Sequence, residues 1–93
     1  IVVDEGARTA LVQRGKSLLP SGIKAVSKSF RAGDVVGLVG EDGIEFARGL
    51  TNYSAEEVER IKGKKSTEIE AALGQKPYDE VVHRDHLVIL TPP

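Results

Sequence analysis

An Asp42-Gly43 pair stands between two apolar segments, Val35 to Val39 and Ile44 to Leu50. Glu41-Asp42-Gly43 flanked by such segments predicts a β-hairpin, because glycine supplies the positive φ that tight hairpin turns require. A hairpin forces antiparallel pairing, and the chain has too few strand-helix-strand units for a doubly wound sheet. In the return strand Ile44, Phe46, Arg48 and Leu50 share one face, and Glu45, Ala47 and Gly49 the other. Gly49 inside a strand predicts a bulge or a close backbone approach.

The other elements are arranged around that hairpin. Ile1 to Val3 reads as a short strand. Asp4 offers an N-cap for a helix through Arg14, with Ala7, Ala10 and Leu11 as its apolar stripe and Gly15 as its stop. Pro20-Ser21-Gly22 marks a turn, Ile23 to Phe30 a strand, and Ala32-Gly33-Asp34 a second turn. Ser54 and Glu57 fit a capping box, with Val58 and Ile61 on the buried side of that helix. Ser66 or Thr67 caps a further short helix carrying Ile69, Ala72 and Leu73, closed by Gly74. Val81-Val82 is extended, and Leu87 to Leu90 is the last strand. The expected fold is mixed α/β and mainly β. Five to six short, mostly antiparallel strands form a small, partly closed barrel flanked by helices, a closure that protects the sheet edges.

Ninety-three residues suffice for one domain. Hydrophobic residues at 40% and charged ones at 29% make an ordinary globular composition, and no apolar run approaches the roughly 20 residues of a membrane helix. Cysteine is absent, which excludes disulfides and thiolate metal sites and is compatible with a reducing compartment. The chain opens at Ile1 and contains no methionine, so a fragment or processed chain is expected, with Pro92-Pro93 as a terminal tail or the start of a linker.

Four motifs suggest chemistry that their context does not support. Gly15-Lys16-Ser17 ends like a phosphate-binding loop, but that loop needs glycine where Ala10 stands, a strand before it and a long helix after it. Gly63-Lys64-Lys65-Ser66-Thr67 fails the same pattern. His83-Arg84-Asp85 opens like a protein-kinase catalytic loop, yet His86 and Leu90 stand where leucine and asparagine belong. Those three residues read instead as a turn joining Val81-Val82 to Leu87-Leu90. His83 and His86 with Asp79 or Asp85 make a nominal metal set, but in extended chain a spacing of three aims the two rings to opposite sides. No catalytic, cofactor-binding or metal-ligating residue is assigned.

The basic residues of the first third remain. Arg8, Arg14, Lys16, Lys24, Lys28 and Arg31 surround the helix end and the following strand. Such a face suits phosphate contacts with salt-dependent, sequence-poor affinity. A solvated charged face is the competing reading. The net charge is -1, and Phe30, Phe46, Tyr53 and Tyr78 form no interleaved stacking platform.

The runs Asp4 to Ala7, Arg14 to Ile23 and Phe30 to Val36 together resemble the start of a PUA domain. More narrowly, they are similar to the C-terminal PUA domain of bacterial glutamate 5-kinases, a likeness extended by Ala47 to Ser54, Ser66 to Glu70 and Tyr78 to Val88. The resemblance implies a PUA-like pseudo-barrel over residues 1–91, followed by a tail at 92–93. It implies a cytoplasmic parent enzyme, with no membrane attachment, that phosphorylates the side-chain carboxylate of glutamate with Mg-ATP as the first step towards proline. The ATP, glutamate and feedback-proline sites would lie in an amino-acid-kinase domain preceding Ile1. The partners implied are that kinase domain and further copies of the parent in a homo-oligomer.

PUA domains of RNA-modifying enzymes bind RNA with the first helix, the turn after it and the next strand. By position the matching RNA-binding residues are Arg14, Gly15, Lys16, Ser17, Ile23 and Lys24. Ser27-Lys28-Ser29 departs from the Glu-Gly-Asp-like stretch common in relatives and makes that turn more basic. Three roles follow: an accessory or regulatory domain of a biosynthetic kinase, an RNA-binding module, or an autonomous enzyme. The last has no convergent titratable cluster behind it.

Overall fold

The computed structural model describes residues 1–90; the expected tail at Pro92-Pro93 lies outside them. Strand β1 (Val2–Val3) leads into helix α1 (Glu5–Arg14). Asp4 has extended backbone, and its carboxylate accepts the Ala7 amide at 2.7 Å, satisfying one of the free N–H groups at the helix start. Gly15 ends the helix at φ 61°, a left-handed conformation that costs a residue with a Cβ roughly 1–2 kcal/mol. The helix start and stop fall where the sequence places them.

A 3-10 turn at Pro20–Gly22 precedes β2 (Ile23–Ala25). The hairpin strands are β3 (Val35–Val39) and β4 (Glu45–Thr51). Helix α2 (Ala55–Ile61), a 3-10 turn at Ser66–Glu68, helix α3 (Ile69–Leu73) and β5 (Val82–Ile89) complete the order. The five strands form one sheet in the order β2-β1-β3-β4-β5. Among the described residues only β1 against β3 is parallel; the other pairs are antiparallel. Val3, Leu11, Leu18, Leu38, Tyr53, Val58, Ile61, Ile69, Val81 and Val82 are essentially inaccessible and join the helices to one face of the sheet. The Ser54–Glu57 capping box is present in both directions.

Three local expectations are corrected. The strand from Ile23 to Phe30 stops at Ala25, because β1 is two residues long and offers nothing further to pair with. The chain then turns towards α2, where the Phe30 carbonyl accepts the Ala55 amide at 3.1 Å. Ser66 and Thr67 do not cap α3; they lie in the preceding 3-10 turn, and the Ser66 hydroxyl donates to the Asp79 carbonyl at 3.1 Å. Between β3 and β4, Leu38 pairs with Ala47 and Val39 with Glu45, so Phe46 is an extra residue in a bulge. The Arg8 guanidinium stacks over its ring, 5.1 Å from the centroid.

The third correction concerns His83-Arg84-Asp85, which belongs to β5 and is not a turn between strands. Thr51 pairs with Val82 and Gly49 with Leu87, so the β5 segment between those pairs is three residues longer than its partner and is pushed out of the ladder. The His83 and His86 rings consequently lie 6.0 Å apart, not on opposite sides. Gly49 makes the excursion sterically feasible. A Cβ on it would lie 2.5 Å from Val82 Cγ1 and 2.7 Å from the His86 carbonyl oxygen, the close approach expected from its place in the strand.

Candidate functional site

The segment after Gly15 is fixed by backbone bonds to a distant strand. The Leu18 amide donates to the Val82 carbonyl at 2.8 Å, and the Val81 amide donates to the Leu18 carbonyl at 2.8 Å. Leu18 is buried and anchors the loop. One residue earlier, the Ser17 Oγ accepts the Arg84 amide at 2.8 Å. Beyond Leu18 the chain returns under α1. Asp4 donates its amide to the Gly22 carbonyl at 2.9 Å, and Gly22 packs so closely that a Cβ on it would lie 2.5 Å from the Ala7 Cβ. Only glycine lets helix and turn approach this far without displacing backbone.

Between these walls is a cavity of about 650 Å³. Ala7, Ala10, Leu11 and Leu18 give it an apolar floor, and Lys16, Ser17, Ser21 and Arg84 supply polar atoms around it. Asp4 is also at its wall, but its carboxylate is engaged in capping α1. The arrangement suits a ligand with an apolar part and an anionic group.

Of the six residues expected to contact RNA, Lys16 and Ser17 line this cavity. Gly15 is the hinge that delivers them, and Arg14 is exposed in the last turn of α1. Lys24 is exposed on the edge strand β2, away from the cavity lining. The Ile23 side chain is buried at 2% exposure and pairs with Val3, so a ligand reaches its backbone at most. Arg84 and Ser21 escaped the sequence reading. The signal for Arg84 was the run of four polar residues His83 to His86 inside an otherwise apolar strand.

Gly15-Lys16-Ser17 does not fit the phosphates of ATP. A phosphate cradle needs consecutive amides opening into a helix N-terminus, whereas here the Lys16 amide is bound back to the Ala10 carbonyl at 3.2 Å and Leu18 enters a β-bridge. Among the described residues no group of three or more His, Asp or Glu side chains is placed to hold a metal ion. Nor is any helix there long and apolar enough to cross a membrane.

Known proteins place the chain in context. The PUA domain family model matches residues 1–73. Over 90 residues the chain is 59% identical to the glutamate 5-kinase of Caldanaerobacter subterraneus and 56% identical to that of Geobacter sulfurreducens. Each match takes in 97% of this chain and 24% of the relative, so the chain spans about a quarter of the relatives' length. Among solved structures, a PUA domain from Aeropyrum pernix, crystallised with tartrate, superposes with a TM-score of 0.66 at 27% identity, covering 91% of this chain and 40% of that one. A conserved PUA domain protein from Thermoplasma acidophilum gives 0.58 at 33% identity, over 68% of this chain and 42% of its own. With the family model spanning most of the sequence and the same architecture in both structures, the chain belongs to the PUA domain family.

Proposed function

We propose that this PUA domain is the accessory, regulatory module of a glutamate 5-kinase. The parent transfers phosphate from Mg-ATP to the side-chain carboxylate of glutamate, the first step of proline biosynthesis. The observation that carries the reading is identity of 51% to 59% to glutamate 5-kinases across almost the whole chain. The module takes no part in the chemical step; Mg-ATP and glutamate are held by the amino-acid-kinase domain of the same cytoplasmic polypeptide. The parent's oligomer and its response to proline are what this module tunes. Its unit is residues 1–91, a span supported by β5 adding the last strand beyond the matched region, with 92–93 as a tail. The Leu18–Val82 bridge links the segment before β2 to the opposite edge strand and supports a pseudo-barrel.

The test compares the intact parent with the same protein lacking residues 1–93. Glutamate- and ATP-dependent phosphate transfer is followed across added proline, with oligomer size recorded. Retained turnover with an altered proline response or assembly is the expected result. Superimposed curves and equal oligomers would remove the regulatory role, and failure of both proteins to phosphorylate glutamate would remove the enzyme assignment.

RNA binding is a second reading, favoured by one feature: Lys16, Ser17 and Arg84 meet around an apolar cavity, while Arg14 is exposed at the end of α1 and Lys24 on β2. In it, RNA phosphates contact the cations and an unpaired base enters the cavity.

A further inference from the structure

The tip of the β3–β4 hairpin carries Asp42-Gly43, the one place in the sequence where Asp or Asn precedes glycine. An Asp side chain can be attacked at its carboxyl carbon by the backbone nitrogen of the next residue. A side chain on that next residue obstructs the attack, and every other Asp, like the single Asn, is followed by a larger residue. Gly43 adds no such crowding, since nothing lies within 4 Å of where its Cβ would be. The folded turn occupies both reacting groups. The Gly43 amide donates to the Gly40 carbonyl at 3.0 Å. The Asp42 Oδ1 accepts the Ile44 amide at 3.0 Å, and Oδ2 accepts Arg8 Nη1 at 3.1 Å. Arg8 belongs to α1, and its guanidinium also covers the Phe46 ring. The bond from Ile44, and after it the one from Arg8, hold the Asp42 carboxyl below its ordinary value. An ionised carboxylate resists attack, because its oxygen leaves as water only from the protonated acid.

We propose that Asp42-Gly43 is a spontaneous modification site, where the chain converts to isoaspartate through a succinimide, and that Arg8 keeps it closed. In the first step the Gly43 nitrogen bonds to Asp42 Cγ. The amide proton and the carboxyl OH leave together as one water, which closes the ring. Water then reopens the ring at either of its carbonyls. Opening at Cγ restores aspartate. Opening at the main-chain carbonyl carbon of Asp42 leaves Gly43 attached through Cγ, with a free carboxylate on Cα. One water leaves and one returns, so the conversion is an isomerisation and needs no co-reactant. The carbon whose oxygens received Arg8 and Ile44 then lies in the backbone, which is longer by one methylene. Arg8 loses its partner. The hairpin tip is thereby released from α1, the helix whose Ala7, Ala10 and Leu11 floor the large cavity.

Incubating the full 93-residue chain near neutral pH in heavy-oxygen water tests this. Each ring opening leaves one heavy oxygen at residue 42, which peptide fragmentation locates. Label is expected there and at no other Asp. The folded chain is expected to take it up about tenfold or more slowly than the chain unfolded in urea, the worth of roughly one net hydrogen bond. Arg8→Gln is expected to label about two- to fivefold faster than the unmodified fold, the range for an exposed ion pair, with Arg8→Lys restoring most of the protection. Raised salt screens the same pair without any substitution. It should speed labelling of the unmodified chain and leave Arg8→Gln unchanged. Should Arg8→Gln lose its melting transition, the salt response of the unmodified chain decides. Equal rates in the folded and unfolded chain, or label spread over several Asp residues, would overturn the proposal. So would a rate indifferent to salt and, in a folded variant, to Arg8→Gln.

Discussion

The backbone amide of Arg84 donates to the Ser17 hydroxyl oxygen at 2.8 Å, across 67 positions of sequence. That bond holds the out-of-ladder part of β5 against the loop leaving α1, and so sets the mouth of the 650 Å³ cavity. Replacing Ser17 by Ala removes the acceptor without altering Leu18, whose bridge to Val82 is made by backbone alone. The expected loss of stability is about 0.5–1.5 kcal/mol, the net worth of one such bond. Exchange of the Arg84 amide should quicken while that of Leu18 does not, and Ser17→Thr should restore most of the protection. An Arg84 amide indifferent to both substitutions would show that the loop is held without this bond.

Gly49 and Gly37 lie on neighbouring strands and respond differently to a methyl group. A Cβ at Gly49 meets Val82 Cγ1 at 2.5 Å and the His86 carbonyl at 2.7 Å, and the second of these is backbone. Gly49→Ala is therefore expected to cost about 1–3 kcal/mol, the range for overpacking a tight site, and to disturb the excursion at residues 83–86. A Cβ at Gly37 meets only the far end of the Glu45 side chain, which can swing away into solvent. Urea midpoints of the two variants should differ clearly, with Gly49→Ala much the lower. Equal midpoints would mean that β5 can recede from β4 without penalty.

What the sequence made legible follows from how local each signal was. Asp4, Gly15, Ser54 and Glu57 act on their own helix ends, so chemistry within four residues settles them. Gly49 was legible as a close approach but not as an approach to His86, which depends on how a distant strand is registered. Register was also the missing information at Phe46, which stands as one extra residue opposite β3. At the cavity, Lys16 and Ser17 were named through the resemblance to RNA-binding PUA domains, by their place in the turn after the first helix. Arg84 was not, because only the five-against-two mismatch between the Val82–Leu87 and Gly49–Thr51 intervals brings it there.

Tyr53 supplies a prediction with a defined pH dependence. Its ring is buried, its hydroxyl donates to the Tyr78 carbonyl, and the same oxygen accepts the Tyr78 amide at 3.2 Å. Tyr53→Phe keeps the packing but strands both Tyr78 groups, an expected loss of about 1–3 kcal/mol near neutral pH. Burial raises the Tyr53 phenol above its ordinary value. A raised acid favours the folded state while neutral, so its contribution is complete below the unfolded value near ~10 and fades as pH climbs through the folded one. The stability of the unmodified protein should therefore fall more steeply on the alkaline side than that of Tyr53→Phe. Parallel alkaline limbs would contradict the assignment of that slope to Tyr53.

RNA binding makes the sharpest demand on the cavity, and it separates the residues the sequence selected from the one it missed. If phosphates contact Lys16 and Arg84, each contact releases condensed counterions on binding. Affinity for single-stranded RNA should then fall as salt is raised. Lys16→Ala and Arg84→Ala should each lower the log–log slope by about 0.7, with Lys24→Ala changing it in the same direction. Filling the apolar floor by Ala7→Leu should weaken binding without changing the slope, because a base excluded from the cavity carries no phosphate charge. Since Ala7 also packs against Gly22, an intact melting transition must accompany that result. An equal loss of affinity in every variant, with one common slope, would identify a diffuse charged surface. RNA affinity unchanged in all four would remove the second reading and leave the cavity to a ligand of another kind.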